Sequence, residues 1–336
     1  MGPIRRSSMS REPVNPSVSP EARRLLKYLY EISGSHVLSG QHNTPAHLGR
    51  YNEQAREITG EYPALWGQDF GFHADDMDGI GYRQAVMDEA KRQHAAGCLV
   101  TLMWHAVRPI EEEPVTFKES ICGKLTNHEW ADLVTPGSAV YNRWKRQVDV
   151  VGEFLAQLRD ASIPVVWRPY HEMNGDWFWW CYRPGPDGYA ALYRQLYHRL
   201  TDHHGLDNLL WVYNPNAPAG RVLPYQACYP GHDYVDILAA DVYHNDFRQS
   251  HHDDLAALAD GRPIALGEVG RAPTPEILSA QPRWAWFMIW TNFLTNENDP
   301  DDLRELFHSP RVLTRPVDYG ARVEGTANVN SLAVPA

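Results

Sequence analysis

Eight short apolar runs, most of them followed by a stretch of helical periodicity, leave this 336-residue chain few folds to choose from. The runs are His36–Ser39, Pro63–Phe70, Leu99–His105, Val165–Tyr170, Leu209–Asn214, Val235–Tyr243, Ile264–Val269 and Trp286–Thr291. They alternate little between polar and apolar, which is the pattern of parallel strands covered on both faces. Amphipathic stretches lie between them at Ala46–Thr59, Tyr82–Ala96, Tyr141–Ala161, Tyr189–His203, Asp253–Ala259 and Asp301–His308. The third of these is the clearest, with Val148, Val151, Phe154, Leu155 and Leu158 at helical spacing. The segments between the fifth and sixth runs, and between the seventh and eighth, are weaker and read as irregular. Such alternation without a break in composition predicts α/β class and a single (β/α)₈ barrel, a TIM barrel, over residues 21–315. Residues 1–20 read as a flexible leading segment and 316–336 as a tail without strong pattern. A doubly wound open sheet is the alternative, but no glycine-rich phosphate turn follows the first run.

Polar and aromatic residues collect where each run finishes, and in such barrels that face carries the active site. The richest of these ends is Trp167-Arg-Pro-Tyr-His-Glu-Met-Asn-Gly-Asp-Trp-Phe-Trp-Trp180, where His171-Glu172 is followed by three tryptophans in four positions. Indole rings stack on the apolar faces of pyranoses, and a wall of them can hold a carboxylic acid protonated near neutral pH. A second carboxylate, Glu268, closes the seventh run in Pro263-Ile-Ala-Leu-Gly-Glu-Val-Gly270. A barrel that sets strands four and seven across its mouth lets these two groups face each other, as sugar hydrolysis requires. The long connection Ala106–Ser138 is expected to form a cleft wall or lid.

Composition excludes several other functions. A formal charge of −11, without basic runs, argues against nucleic acid and anionic membrane surfaces as partners. No run of 18 apolar residues exists to span a bilayer. Met1 to Ser19 is polar and lacks the apolar segment of a secretory signal, so a cytoplasmic place is expected, or secretion if a leader has been removed. Cys98, Cys122, Cys181 and Cys228 are scattered and expected as free thiols, with a Cys122–Cys181 pairing left open. His203-His204 and His251-His252-Asp253-Asp254 lack a third ligand at useful spacing. Position four after His171 is Gly175, so no zinc helix begins there. No metal or other cofactor is expected, and Asp75-Asp76-Met77-Asp78 reads as a solvated turn.

The residues quoted from Arg168 to Trp180, with Ala265-Leu-Gly-Glu-Val-Gly270, resemble glycoside hydrolase family 26, the retaining β-mannanase family of the large (β/α)₈ glycosidase clan. The likeness runs from about Ser33 to Leu313 and includes Trp66-Gly-Gln-Asp-Phe70 and Trp104-His105. It implies an endo-β-1,4-mannanase acting as a monomer on β-mannan, galactomannan or mannooligosaccharides. Glu172 would be the general acid/base and Glu268 the nucleophile. His171 would position the pair, Trp177 would shape the floor at the cleavage point, and Tyr243 would hydrogen-bond the nucleophile. Trp290 would stack under the sugar, and His105 and Arg168 match family positions near the carboxylates, Arg168 favouring the anion of Glu268. A β-1,3-xylanase or mixed-linkage β-glucanase of the same family is the alternative, and a non-catalytic sugar-binding barrel the rival from another class. One departure is visible: Cys181 follows Trp180 where the family usually has glycine.

Overall fold

The computed structural model describes residues 12–74 and 77–320. Eight parallel strands form a closed barrel: β1 Val37–His42, β2 Leu65–Asp69, β3 Leu99–Trp104, β4 Val165–Pro169, β5 Leu209–Tyr213, β6 Ile237–Val242, β7 Ile264–Val269 and β8 Trp284–Ile289. Each strand pairs with the next, and the last returns to the first through Leu38 opposite Trp286 and Gln41 opposite Ile289. The single (β/α)₈ barrel read from the sequence is therefore the fold. A short strand, Val312–Leu313, pairs with the first two residues of β1.

Two apolar layers hold the barrel. Its interior is filled by inward residues such as Leu38, Leu65, Val166, Leu210, Ile237 and Trp286, all essentially inaccessible to solvent. A larger layer lies between the strands and the surrounding helices, among them Arg50–Thr59, Arg83–Ala95, Ala139–Asp160, Tyr189–His198 and Gln249–Ala259. The helix at Tyr189 ends at His198 and continues as a wider π-helical turn, Arg199–His203. The connection between β5 and β6 holds two 3₁₀ turns, and that between β7 and β8 the short helix Pro275–Ala280. The sequence pattern was weakest at these two places.

An additional helix, Pro20–Ile32, is absent from the sequence expectation. Its start signal is complete: Ser19 accepts a hydrogen bond from the Ala22 amide, Pro20 occupies the first turn and Glu21 adds a negative charge there. Its face of Ala22, Leu25, Leu26, Leu29 and Ile32 joins the interior cluster. Leu25→Ala should cost about 2–5 kcal/mol, measurable as a lower urea midpoint at unchanged slope. Residues 1–11, most of the stretch read as a leading segment, lie outside the described residues. Of the rest, the Val14 amide donates to buried Asp236 at 2.7 Å. Residues 321–336 of the tail and Asp75-Asp76 of the acidic turn also lie outside them.

The connection from Ala106 to Ser138 contains a π-helical turn, Phe117–Ile121, and a capped helix, Asn127–Leu133. Phe117 packs edge-on against His105 and Phe72, with ring centres 5.5 and 5.2 Å away, so this segment forms a wall of the cleft.

Candidate active site

Strand β4 ends at Pro169, and the chain turns sharply, with Tyr170 and Glu172 at φ +49° and +57°. Few non-glycine residues adopt that region, and at such a position the surroundings must hold the backbone. The Glu172 amide donates to the Asn214 carbonyl at 2.7 Å, the Glu172 carbonyl receives Gly175 N–H at 3.0 Å, and the Cys181 thiol donates to it at 3.2 Å. Trp180 donates its indole N–H to the His171 carbonyl at 2.8 Å.

Of the three tryptophans expected to wall the cleft, one does so. Trp177 lines it, whereas Trp179 and Trp180 are buried and pin backbone carbonyls, Trp179 reaching Ala106 at 2.8 Å. Their bulk fixes the loop that carries Glu172. Gly175 is required by this loop, since a Cβ there would stand 2.2 Å from the Trp177 ring.

Glu268 reaches the barrel axis by a different device. The pairing of β6 with β7 slips between Ala240–Leu266 and Asp241–Glu268, so Gly267 forms a bulge that re-aims the next side chain. A Cβ at Gly267 would meet the Asn214 side-chain oxygen at 2.1 Å.

The two carboxyl groups line one cavity of about 580 Å³ with His105, His171, Trp177, Tyr243 and Trp290. A second cavity of about 860 Å³ adjoins it past His105, Trp290 and Phe293, and Asp69, His47, Tyr51 and Phe117 line it. Around Glu172, Trp177 Nε1 donates to Oε2 at 2.6 Å and Asn216 Nδ2 to Oε1 at 2.8 Å. Around Glu268, Arg168 Nη2 donates to Oε1 and Tyr243 to Oε2, each at 2.8 Å. Arg168 Nε donates to Asn214 Oδ1 at 2.6 Å, and Nη2, shared with Glu268, lies 3.5 Å from Asp241 Oδ1.

These surroundings separate the two carboxyl groups chemically. Burial, reinforced by the charge of Glu268, pushes Glu172 up to about 7 despite its two donors. Arg168, fully buried, remains a guanidinium because the charge of Glu268, bonded to it at 2.8 Å, outweighs its loss of hydration. Burial and the charge of Glu268 hold Tyr243 well above the usual phenol range, so its O–H stays a donor. The same two causes push Asp241 far above the usual carboxylate range, and its Oδ2 has no hydrogen-bond partner among the described residues. A neutral Asp241 leaves the charge of Arg168 to Glu268.

The histidines divide likewise. Burial, then the charge of His105, keeps His171 neutral, with Nε2 3.7 Å from Glu268 Oε1. Burial takes His42 down to about 3, and its ring stacks on Trp290 with centres 4.2 Å apart. His105 goes the other way. Burial lowers its proton affinity, but Asp69 at 2.7 Å, then Glu268 and Glu172, more than offset this.

Among the described residues, cation binding is opposed at both places that gather ligand atoms. His171, Asp241 and Glu268 lie close enough to hold an ion, but the Arg168 guanidinium already sits against two of them, 2.8 Å from Glu268 and 3.5 Å from Asp241. Asp149 joins His203 and His204, a third ligand that sequence spacing did not reveal, yet Arg199 grips its carboxylate through two 2.7 Å bonds. None of the four cysteines is in a disulfide, so the Cys122–Cys181 pairing does not form.

Every candidate from the sequence — His105, Arg168, His171, Glu172, Trp177, Tyr243, Glu268 and Trp290 — therefore lies at one face of the barrel, and all but Arg168 line the smaller cavity itself. Asp69, Asn214, Asn216 and Asp241 complete the network and went unassigned, although all but Asn216 stand in the strand-end clusters. Residues 14–316 match the family described as "Glycosyl hydrolase family 26". The chain belongs to glycosyl hydrolase family 26. Among curated relatives of this family 26 chain, a mannan endo-1,4-beta-mannosidase of Thermothelomyces thermophilus is 35% identical over 89% of the chain and 62% of its own length. Mannan endo-1,4-beta-mannosidase A of Piromyces sp. is 28% identical over 89% of the chain and 49% of its own length. The chain thus spans about half to two thirds of the length of these relatives. Among solved structures, GH26A from Muricauda sp. superposes with a TM-score of 0.86 at 42% identity, covering 89% of this chain and 98% of that one. A Podospora anserina GH26-CBM35 β-(1,4)-mannanase superposes at 0.75 with 32% identity, covering 94% and 70%.

Proposed function

We propose that this chain is a retaining endo-β-1,4-mannanase that cleaves mannan, galactomannan or mannooligosaccharides by double displacement, with residues 21–315 as its catalytic unit. The observation that carries the reading is the pair in one cavity: Glu172 pushed up to about 7, and Glu268 held between Arg168 and Tyr243. The names of the curated relatives supply the substrate.

In the first step Glu268 attacks the anomeric carbon while Glu172 protonates the departing glycosidic oxygen, leaving a covalent glycosyl-enzyme. Glu172, now a carboxylate, takes a proton from water, which attacks the same carbon and frees Glu268 with configuration retained. Tyr243 and Arg168 orient the nucleophile, and His171 packs against it as a neutral ring. Trp290 lies under the sugar, backed by His42, and His105 and Trp177 flank the cleavage point. The leaving sugar sits beside the acid. The cavity that contains Glu172 then takes the aglycone, and the cavity beyond His105 and Trp290 takes the glycone. Cleft space on both sides of the scissile bond supports attack within a chain.

The alkaline limb of kcat/KM should fall with a midpoint near the value of about 7 held by Glu172, because the first step loses its acid as pH rises through it. In Glu268→Gln the Glu172 carboxyl should titrate lower, since the neighbouring charge is gone. Carbon-13 NMR of labelled glutamate reads this directly, and an unmoved midpoint would contradict it.

Reducing-sugar release from β-mannan, mixed-linkage β-glucan and β-1,3-xylan in parallel tests the substrate. Release from mannan alone is expected. Release only from another polysaccharide would overturn the substrate and keep the mechanism, and none from any, short mannooligosaccharides included, would overturn both.

A further inference from the structure

The carboxylate of Asp69 is bound more completely than a strand-end residue needs. At the end of β2, Oδ1 accepts the amides of Gly71 at 2.8 Å and His105 at 3.0 Å. Oδ2 accepts the Phe72 amide at 3.3 Å and faces His105 Nδ1 at 2.7 Å. Three backbone donors fix the carboxylate in place, and the fourth contact goes to a ring that lines both cavities. Phe117 and Phe178 pack edge-on against that ring at 5.5 and 5.2 Å, and His171 stands perpendicular to it at 4.6 Å. The imidazole thus has one orientation, with Nδ1 committed to Asp69 and Nε2 left for a ligand.

We propose that Asp69 is a positioning residue of the hydrolytic site: it keeps the proton of His105 on Nδ1 and so presents Nε2 to the sugar at the cleavage point. The inference rests on the glycosidase reading above. The charged and titratable groups facing His105 are Asp69 from β2, His42 from β1, His171 and Glu172 after β4, and Glu268 from β7. Lys118, on the wall segment, borders the same glycone-side cavity. His42 and His171 are neutral, so among the described residues Asp69 is the one anion that contacts the ring without belonging to the catalytic pair. When His105 is charged it also opposes the rise of Glu172, which links Asp69 to the acid at one remove.

Asp69→Asn separates this role from a structural one. The amide oxygen can keep the bonds from Gly71 and His105 N–H, and only the longer one from Phe72 at 3.3 Å is lost, so the turn survives. Its NH₂ would then face Nδ1 and drive the proton to Nε2, reversing the tautomer. The expected result is a fall of roughly 10- to 100-fold in kcat/KM on mannan, the scale on which misplaced groups act. Melting temperature should be retained and the alkaline limb displaced upward, because a charge that lowers Glu172 is lost. Asp69→Glu, which keeps the charge, should restore the limb more than the rate. Nitrogen-15 shifts of the His105 ring, recorded at a pH where the ring is neutral, give the readout independent of turnover: protonated Nδ1 in the wild type, protonated Nε2 in Asp69→Asn. A folded Asp69→Asn enzyme with unchanged ring shifts, rate and pH profile would overturn the proposal. Failure of the glycosidase reading would appear instead as an inactive wild type.

Discussion

Glu268→Gln should lose on the order of 10⁶-fold in kcat on mannan, the scale set by removing a covalent nucleophile from an otherwise intact site. At about 1.4 kcal/mol per tenfold change, that is ~8 kcal/mol of transition-state stabilisation. The change removes one anion from a buried cluster, and the cluster can absorb it. Asp241, 3.5 Å from Arg168, is held neutral by burial and, next, by the charge of Glu268. Without that charge it ionises beside the guanidinium, so Arg168 is not left unpaired in the core. The variant should therefore fold with a melting temperature close to that of the wild type while showing no turnover. Persistent mannan hydrolysis by the folded variant would remove Glu268 from the mechanism.

The second large effect depends on the leaving group. Glu172→Ala should cost roughly 10²–10⁴-fold on polysaccharide, the usual contribution of a positioned proton donor. On an aryl β-mannoside whose phenol leaves without protonation, the first step should proceed near the wild-type rate. The glycosyl-enzyme then accumulates, since no base activates water for the second step. Azide, a nucleophile that needs no base, should restore turnover and give a β-glycosyl azide. Stopped-flow release of the phenol with and without azide measures both steps. Equal losses on both substrates, with no azide response, would give Glu172 a binding role.

The carboxylate pair was legible because each member stands at the end of an apolar run, where strand and turn chemistry are local. What was not legible is pairwise and distant. Asn216 is 44 residues from Glu172 and Asp69 is 36 from His105, and each pair meets only because the barrel closes in one register. The aim of Glu268 depends on the bulge at Gly267, which no periodicity announces. Trp179 and Trp180 misled for a related reason. Indole rings serve the core as readily as a sugar site, and only the backbone turn at Tyr170 and Glu172 decides which rings face inward. Strand ends moved by a few residues where the chain leaves the barrel: β8 stops at Ile289, and Thr291 turns away at φ +39°. Helix Pro20–Ile32 was readable from its cap and its apolar spacing, but it lies before the first strand, outside the repeating pattern.

The most direct test of the mechanism is to trap the intermediate. An activated 2-deoxy-2-fluoro-β-mannoside forms the glycosyl-enzyme and slows its hydrolysis, because fluorine destabilises both positively charged transition states. Intact mass followed by peptide mapping should place one sugar on Glu268, with activity returning as the adduct is released. A sugar on any other residue, or mannan cleaved with inversion and no adduct at all, would contradict the account.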